Sequence, residues 1–322
     1  MRLLLLAGLL VLAPACHDAT AERSPPAAPV PVAAAAPTPS ASPAGRQRGG
    51  GQPYEIVGSE VWDVPDPVSG RIYQVFITLP RSYRDEPDRR YPVLYATDAG
   101  YAFPLLNQIT RRLNGGGPAI EEFILVGISY AVGEDGMSSR RRDYTPSPTG
   151  GSGAPADATH GQGDTYLAYL RDQALPFVAN RYRTDESRRH FLGHSYGALL
   201  GTQILFTQPD LFAGYILGSP SYWYDNHHME RREAAFATTH QDLQARVYMY
   251  VGQYEDTLAG DARYATRHDM VTDARRMVRT LHSREYPSLQ VDLEVLDGED
   301  HLSVAPRGFT RGLKRLLGTR GG

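Results

Sequence analysis

The chain holds 322 residues, 41% hydrophobic and 21% charged, with one cysteine and 33 Lys+Arg against 36 Asp+Glu. Its formal charge of -3 argues against nucleic acid as the main partner. The single thiol, Cys16, excludes a disulfide framework, a multi-cysteine zinc site and a cysteine-ligated cluster.

Behind Arg2, residues 3–12 are nearly all apolar. That is shorter than the ~20 residues a membrane-spanning helix needs, and it matches the core of a secretory signal peptide over residues 1–15. The run stops at Ala13-Pro14-Ala15-Cys16. Cys16 stands where a lipid-modified first residue would follow cleavage, which predicts an exported, periplasmic protein tethered to a bacterial membrane. Ala13-Pro14-Ala15 also fits ordinary cleavage to a soluble form. Residues 16–53 are Ala, Pro, Ser and Gly with few large apolar side chains, too little burial to offset ordering entropy, and read as a spacer. Residues 54–322 are enough for one large core.

Within that core, residues 71–79 (RIYQVFITL) alternate polar and apolar side chains, the pattern of a half-buried strand. Short apolar runs follow at 92–97, 123–129, 190–193, 214–218, 247–252 and 289–296. Their length and Val/Ile/Tyr content suit strands buried on both faces. Helical spacing appears at 166–181 and 273–281. The glycine run 115–117 reads as a linker, and the Gly/Ser/Pro-rich stretch 147–163 as a cover or a tolerated insertion. Alternating strands and helices predict a doubly wound α/β domain, a mostly parallel sheet with helices on both faces. Ligands of such sheets bind beyond the carboxyl ends of the strands.

At one such end stands Gly193-His194-Ser195-Tyr196-Gly197, followed by a helical run to Phe206. G-x-S-x-G between strand and helix is the nucleophile elbow of α/β-hydrolases, which raises the serine hydroxyl on a sharp turn. A serine needs a general base and a third group to orient that base, and in this fold they follow in the order acid, then histidine. His301 follows the last strand. After the strand 247–252 come two carboxylates, Glu255 and Asp256, of which Glu255 is at the usual reach of the acid loop. The oxyanion needs two N–H donors. Tyr196, next to the nucleophile, is one, and the loop 98–101, with Gly100, should supply the other. This chemistry requires no metal or organic cofactor.

These residues resemble the putative-esterase family of α/β-hydrolases that contains the enterochelin (siderophore trilactone) esterases. Beyond the elbow and Gly298-Glu299-Asp300-His301, the resemblance includes Leu79-Pro80-Arg81-Ser82-Tyr83, Tyr91-Pro92-Val93-Leu94-Tyr95, Val126-Gly127-Ile128, the run Arg140-Arg141-Arg142-Asp143-Tyr144-Thr145-Pro146, and Ser219-Pro220-Ser221-Tyr222-Trp223. It implies a serine carboxylic ester hydrolase with Ser195 as nucleophile, His301 as base and Glu255 as acid, acting on a small-molecule ester.

Two features lean toward siderophores. Arg140, Arg141 and Arg142 would meet an anionic ferric catecholate, and Tyr101, Phe103, Tyr222 and Trp223 would line a pocket for aromatic rings. The alternatives are arginines that bind carboxylates to tie down a loop, and aromatics that simply fill the core. Feruloyl or acetyl carboxylesterases share the family, and a binding protein without catalysis would share the fold.

Overall fold

The computed structural model describes residues 54–150, 153–265 and 267–319. The leader, Cys16 and the 16–53 spacer lie outside the described residues. The strands are β1 (Ser59–Pro65), β2 (Ile72–Thr78), β3 (Tyr91–Ala96), β4 (Ile124–Ala131), β5 (Thr184–His194), β6 (Gly214–Gly218), β7 (Ala245–Gly252) and β8 (Leu289–Leu296). They form one sheet in the order β1-β2-β4-β3-β5-β6-β7-β8. β2 runs antiparallel to both β1 and β4, while every pairing from β4 through β8 is parallel.

Helices cover both faces, as the sequence predicts. β3 shows why its run carries no alternation: Val93 and Tyr95 enter one core while Leu94 and Ala96 enter the other, and all four are buried. Burying each such large side chain contributes about 1.5–3 kcal/mol. Helices α1 (Ala99–Leu113) and α8 (Ala305–Leu317) pack on the Leu94 face through Phe103, Leu106, Phe309 and Leu313. The opposite face is covered by α3 (Gly163–Tyr169), α4 (Leu175–Ala179), α5 (Tyr196–Thr207), α6 (Tyr224–Ala237) and α7 (Met270–Ser283). A short α2 (Gly136–Asp143) follows β4.

Three elements differ from the sequence reading. β1 was not anticipated, because Val61 and Trp62 are exposed and the strand carries no apolar face to read. The predicted helix over 166–181 is α3 and α4 joined by a π-helical turn at Leu170–Ala174. Pro176 lies just beyond that turn and has no N–H for the helical ladder. Phe103 and Tyr222, expected beside the ligand, are core residues, 2% and 0% exposed.

Candidate active site

The parallel strands bring their carboxyl ends to one edge, where the turns after β3, β5, β6, β7 and β8 meet. Ser195 is the turn between β5 and α5, at φ 59° and ψ −119°. That backbone is strained for any side chain and costs of order 1–3 kcal/mol. The turn closes only because of its glycines. A Cβ on Gly193 would overlap the Gly197 carbonyl, and one on Gly197 would strike Thr97 Oγ1 at the end of β3. Ser195 N–H donates to the Gly218 carbonyl at 2.8 Å, fastening the elbow to β6. The Tyr196 N–H has no acceptor among the described residues, so it is free to meet a negative oxygen.

Glu255, 3% exposed, sits in the short turn after β7. Its Oε1 accepts from Ser219 Oγ at 2.6 Å and from Gly252 N–H at 2.7 Å. Its Oε2 accepts from His301 Nδ1 at 2.6 Å. The carboxylate requires the proton on Nδ1, which leaves His301 Nε2 as the basic nitrogen. Asp256 turns away and accepts from Thr257 N–H at 2.8 Å. Ser195 Oγ bonds Ser221 Oγ at 3.4 Å and makes no bond to His301 among the described residues. To pass a proton to His301, the hydroxyl would have to exchange Ser221 for it.

His194, just before Ser195, holds His301 through its main chain. Its Nε2 donates to the His301 carbonyl at 2.9 Å, and its Nδ1 accepts from Tyr250 Oη at 3.4 Å. Burial, reinforced by the neighbouring His301, pushes its pKa down to about 3. It stays neutral whenever His301 gains a proton.

Above Ser195 opens a cleft of about 720 Å³. Tyr101, Arg140, Arg141 and Trp223 all line it, as expected. Arg140 is not free, however. Its Nε and Nη2 each lie 3.2 Å from a carboxylate oxygen of Asp98, a buried residue that also accepts from Tyr130 Oη at 2.8 Å. Arg142 is buried and pairs with Asp143 and Glu134. Two members of the predicted arginine cluster are thus tied to carboxylates, and only Arg141 has no ion pair among the described residues.

The second cation of the cleft is one the sequence reading missed. Arg267 lies on the rim without an ion pair among the described residues, and beside it His268 stacks on Trp223 with centroids 4.0 Å apart and planes 9° from parallel. Nothing near His268 in sequence marks the stack. Just after Trp223, α6 opens on a left-handed turn, Asp225, Asn226 and His227 having φ of 45°, 48° and 59°. The Asp225 carboxylate accepts from Ser147 Oγ at 2.7 Å and Thr149 Oγ1 at 3.2 Å. This anchors the start of the 147–163 stretch, none of whose described residues lines the cleft.

For the second oxyanion donor, Asp98 caps α1 in a left-handed conformation, and its carbonyl takes the N–H groups of Tyr101 and Ala102. The Ala99 and Gly100 N–H groups have no acceptor among the described residues. Gly100 itself is exposed and does not line the cleft.

The family described as "Putative esterase" matches residues 67–291. The ferri-bacillibactin esterase BesA of Bacillus subtilis (strain 168) is 27% identical over 273 residues, covering 82% of this chain and 91% of that protein. The siderophore triacetylfusarinine C esterase of Aspergillus fumigatus is 28% identical over 265 residues, covering 76% of this chain and 88% of its own. The crystal structure of the BES protein from Bacillus cereus shares the fold, with a TM-score of 0.69 at 22% identity over 83% of this chain and 97% of that one.

Proposed function

Because the chain belongs to the putative esterase family and is a serine ester hydrolase, we propose that it opens the ester bonds of a ferric catecholate trilactone siderophore, with Ser195, His301 and Glu255 as the catalytic set. Ser195 Oγ attacks the ester carbonyl as His301 Nε2 takes its proton. Glu255, held by Ser219 and Gly252, stabilises the imidazolium that forms. The oxyanion rests on Tyr196 N–H and on an N–H at the start of α1. The imidazolium then protonates the leaving oxygen. Water activated by the same nitrogen releases the acid.

The observation that carries the substrate is the cleft itself. Arg141 and Arg267, both without carboxylate partners among the described residues, stand on the same wall system as the flat Trp223–His268 stack, above Ser195. Guanidinium groups left uncompensated suit an anionic ligand, and stacked rings suit aromatic arms. The relatives' siderophore names point the same way. Residues 1–16 support placing the enzyme outside the cytoplasm, tethered through Cys16 to a membrane and acting on siderophore in the periplasm.

The test pairs substrate and label. The wild type should hydrolyse ferric enterobactin and take up a fluorophosphonate probe. Ser195→Ala should lose the label and about 10⁴-fold or more in kcat. Turnover of feruloyl or acetyl sugar esters alone would overturn the siderophore reading, and labelling that survives in Ser195→Ala would overturn the nucleophile.

A further inference from the structure

A second cleft, about 350 Å³, adjoins His301 and shares Arg267, His268, His301 and Leu302 with the first. Ser195 lines only the larger one. The strand order explains the separation. Asp98 and Tyr101 follow β3, on one side of the β5 elbow, whereas Tyr254 and Glu255 follow β7 and His301 follows β8, on the other.

The lining of the smaller cleft is aromatic and apolar. Tyr254 and Tyr264 meet edge to face with centroids 5.2 Å apart, beside Ala265, Met270 and Leu302. Several of its polar groups are engaged by protein, while Arg267, at the rim shared with the larger cleft, has no ion pair among the described residues. Arg263 is bound to Asp261 at 2.5 Å and donates to Tyr254 Oη at 3.3 Å. Tyr264 Oη accepts from Gln253 Nε2 at 3.3 Å. The Asp300 carboxylate accepts from Leu302 N–H at 2.8 Å and Ser303 N–H at 2.9 Å. Inside that rim, what remains open to a ligand is mainly ring surface and apolar side chain.

We infer that this smaller cleft is the leaving-alcohol subsite and that it takes an apolar or aromatic group on the alcohol side of the scissile ester. The inference rests on Ser195 and His301 acting as proposed above. In the acylation step a bond forms between Ser195 Oγ and the carbonyl carbon, and the serine proton passes to His301 Nε2. The bond from that carbon to the alcohol oxygen then breaks, and the same proton goes to the departing oxygen. A general acid must lie within hydrogen-bond reach of the atom it protonates, so the alcohol side of the ester has to lie at His301. The smaller cleft is the one that touches His301 without touching Ser195. The acyl side stays in the larger cleft, between Ser195 and the Asp98 and Tyr101 turn.

Two ester series test the assignment. One keeps the acyl group constant and changes the alcohol from ethyl to benzyl; the other keeps the alcohol and changes the acyl group in the same way. The wild type should prefer benzyl to ethyl alcohols in kcat/KM. Tyr264→Ala should reduce that preference about tenfold, the range of a lost apolar contact. Tyr264→Phe, which keeps the ring, should retain it. The change should appear in acylation and not in the deacylation rate of the acyl-enzyme common to the alcohol series, because the alcohol has left by then. A loss that follows the acyl group instead, or a slowed deacylation, would overturn the subsite. Absence of fluorophosphonate labelling at Ser195 in the wild type would show that the underlying catalytic reading had failed.

Discussion

On one flank of Ser195, Glu255, His301 and His194 form an unbroken chain in which both Glu255 oxygens and both His194 ring nitrogens have protein partners. By contrast, Arg141 and Arg267, from different parts of the cleft wall, have no carboxylate to meet them among the described residues. The first flank is bonded before any ligand arrives, as groups must be if they are to stabilise a transition state without reorganising. The second leaves its charge open for the ligand. Substitutions on the bonded flank should reach catalysis and folding, whereas those on the open flank should reach affinity.

The largest effect tests the bonded flank at its centre. Glu255→Ala should cost roughly 10²–10⁴-fold in kcat, since it removes the partner of His301 and strands the donors on Ser219 and Gly252. Asp256→Ala should stay within about threefold. Steady-state kinetics of the two variants settle the acid assignment, and the reverse order would move it to Asp256.

Arg140 and Arg141 are neighbours in the chain, yet the comparison sorts them apart. Arg140→Ala leaves the buried Asp98 carboxylate without its bidentate partner and should destabilise by about 3–5 kcal/mol. Thermal unfolding should show this as a clear fall in Tm. Arg141→Ala and Arg267→Ala should leave Tm nearly unchanged and each raise KM for an anionic catecholate about tenfold. Neutral esters should be indifferent to both changes. A KM effect of equal size on neutral esters would erase the distinction between the flanks.

The effect that is smallest near neutral pH is a pH dependence. His194 has a folded pKa near 3, below the value of about 6.5 it takes when unfolded. The unfolded chain therefore binds the extra proton between those pH values, and stability falls as pH drops from 6.5 toward 3. The slope approaches about 1.4 kcal/mol per pH unit. Above pH 6.5 the group has no effect. His194→Gln keeps a donor for the His301 carbonyl and should flatten this acid limb in denaturant titrations; an unchanged limb would show that His194 is not its source.

What the sequence disclosed follows the same division. The elbow was legible because its parts are contiguous: two glycines, a serine and the helix that follows are all needed for one turn. The meeting of His301 with Glu255 was legible because each follows a neighbouring strand, β8 and β7, at the same end of the sheet. The fate of the arginines was not. Arg140 meets an aspartate 42 positions away, and no local pattern distinguishes it from Arg141. The Trp223–His268 stack joins the turn after β6 to the start of α7, a contact that only the folded chain creates. β1 escaped because, of this edge strand, only Val64 is buried, which leaves no periodicity to detect.

The backbone of Ser195 also sets a trap for engineering. At φ 59° and ψ −119°, glycine would occupy the position with less strain than serine, and the relief of ~1–3 kcal/mol exceeds glycine's ordinary entropic penalty of ~0.5–1 kcal/mol. A library of this enzyme selected for heat resistance alone would therefore enrich glycine at the proposed nucleophile. Any such selection has to be run with turnover as a second gate, or its most durable winners will be inert.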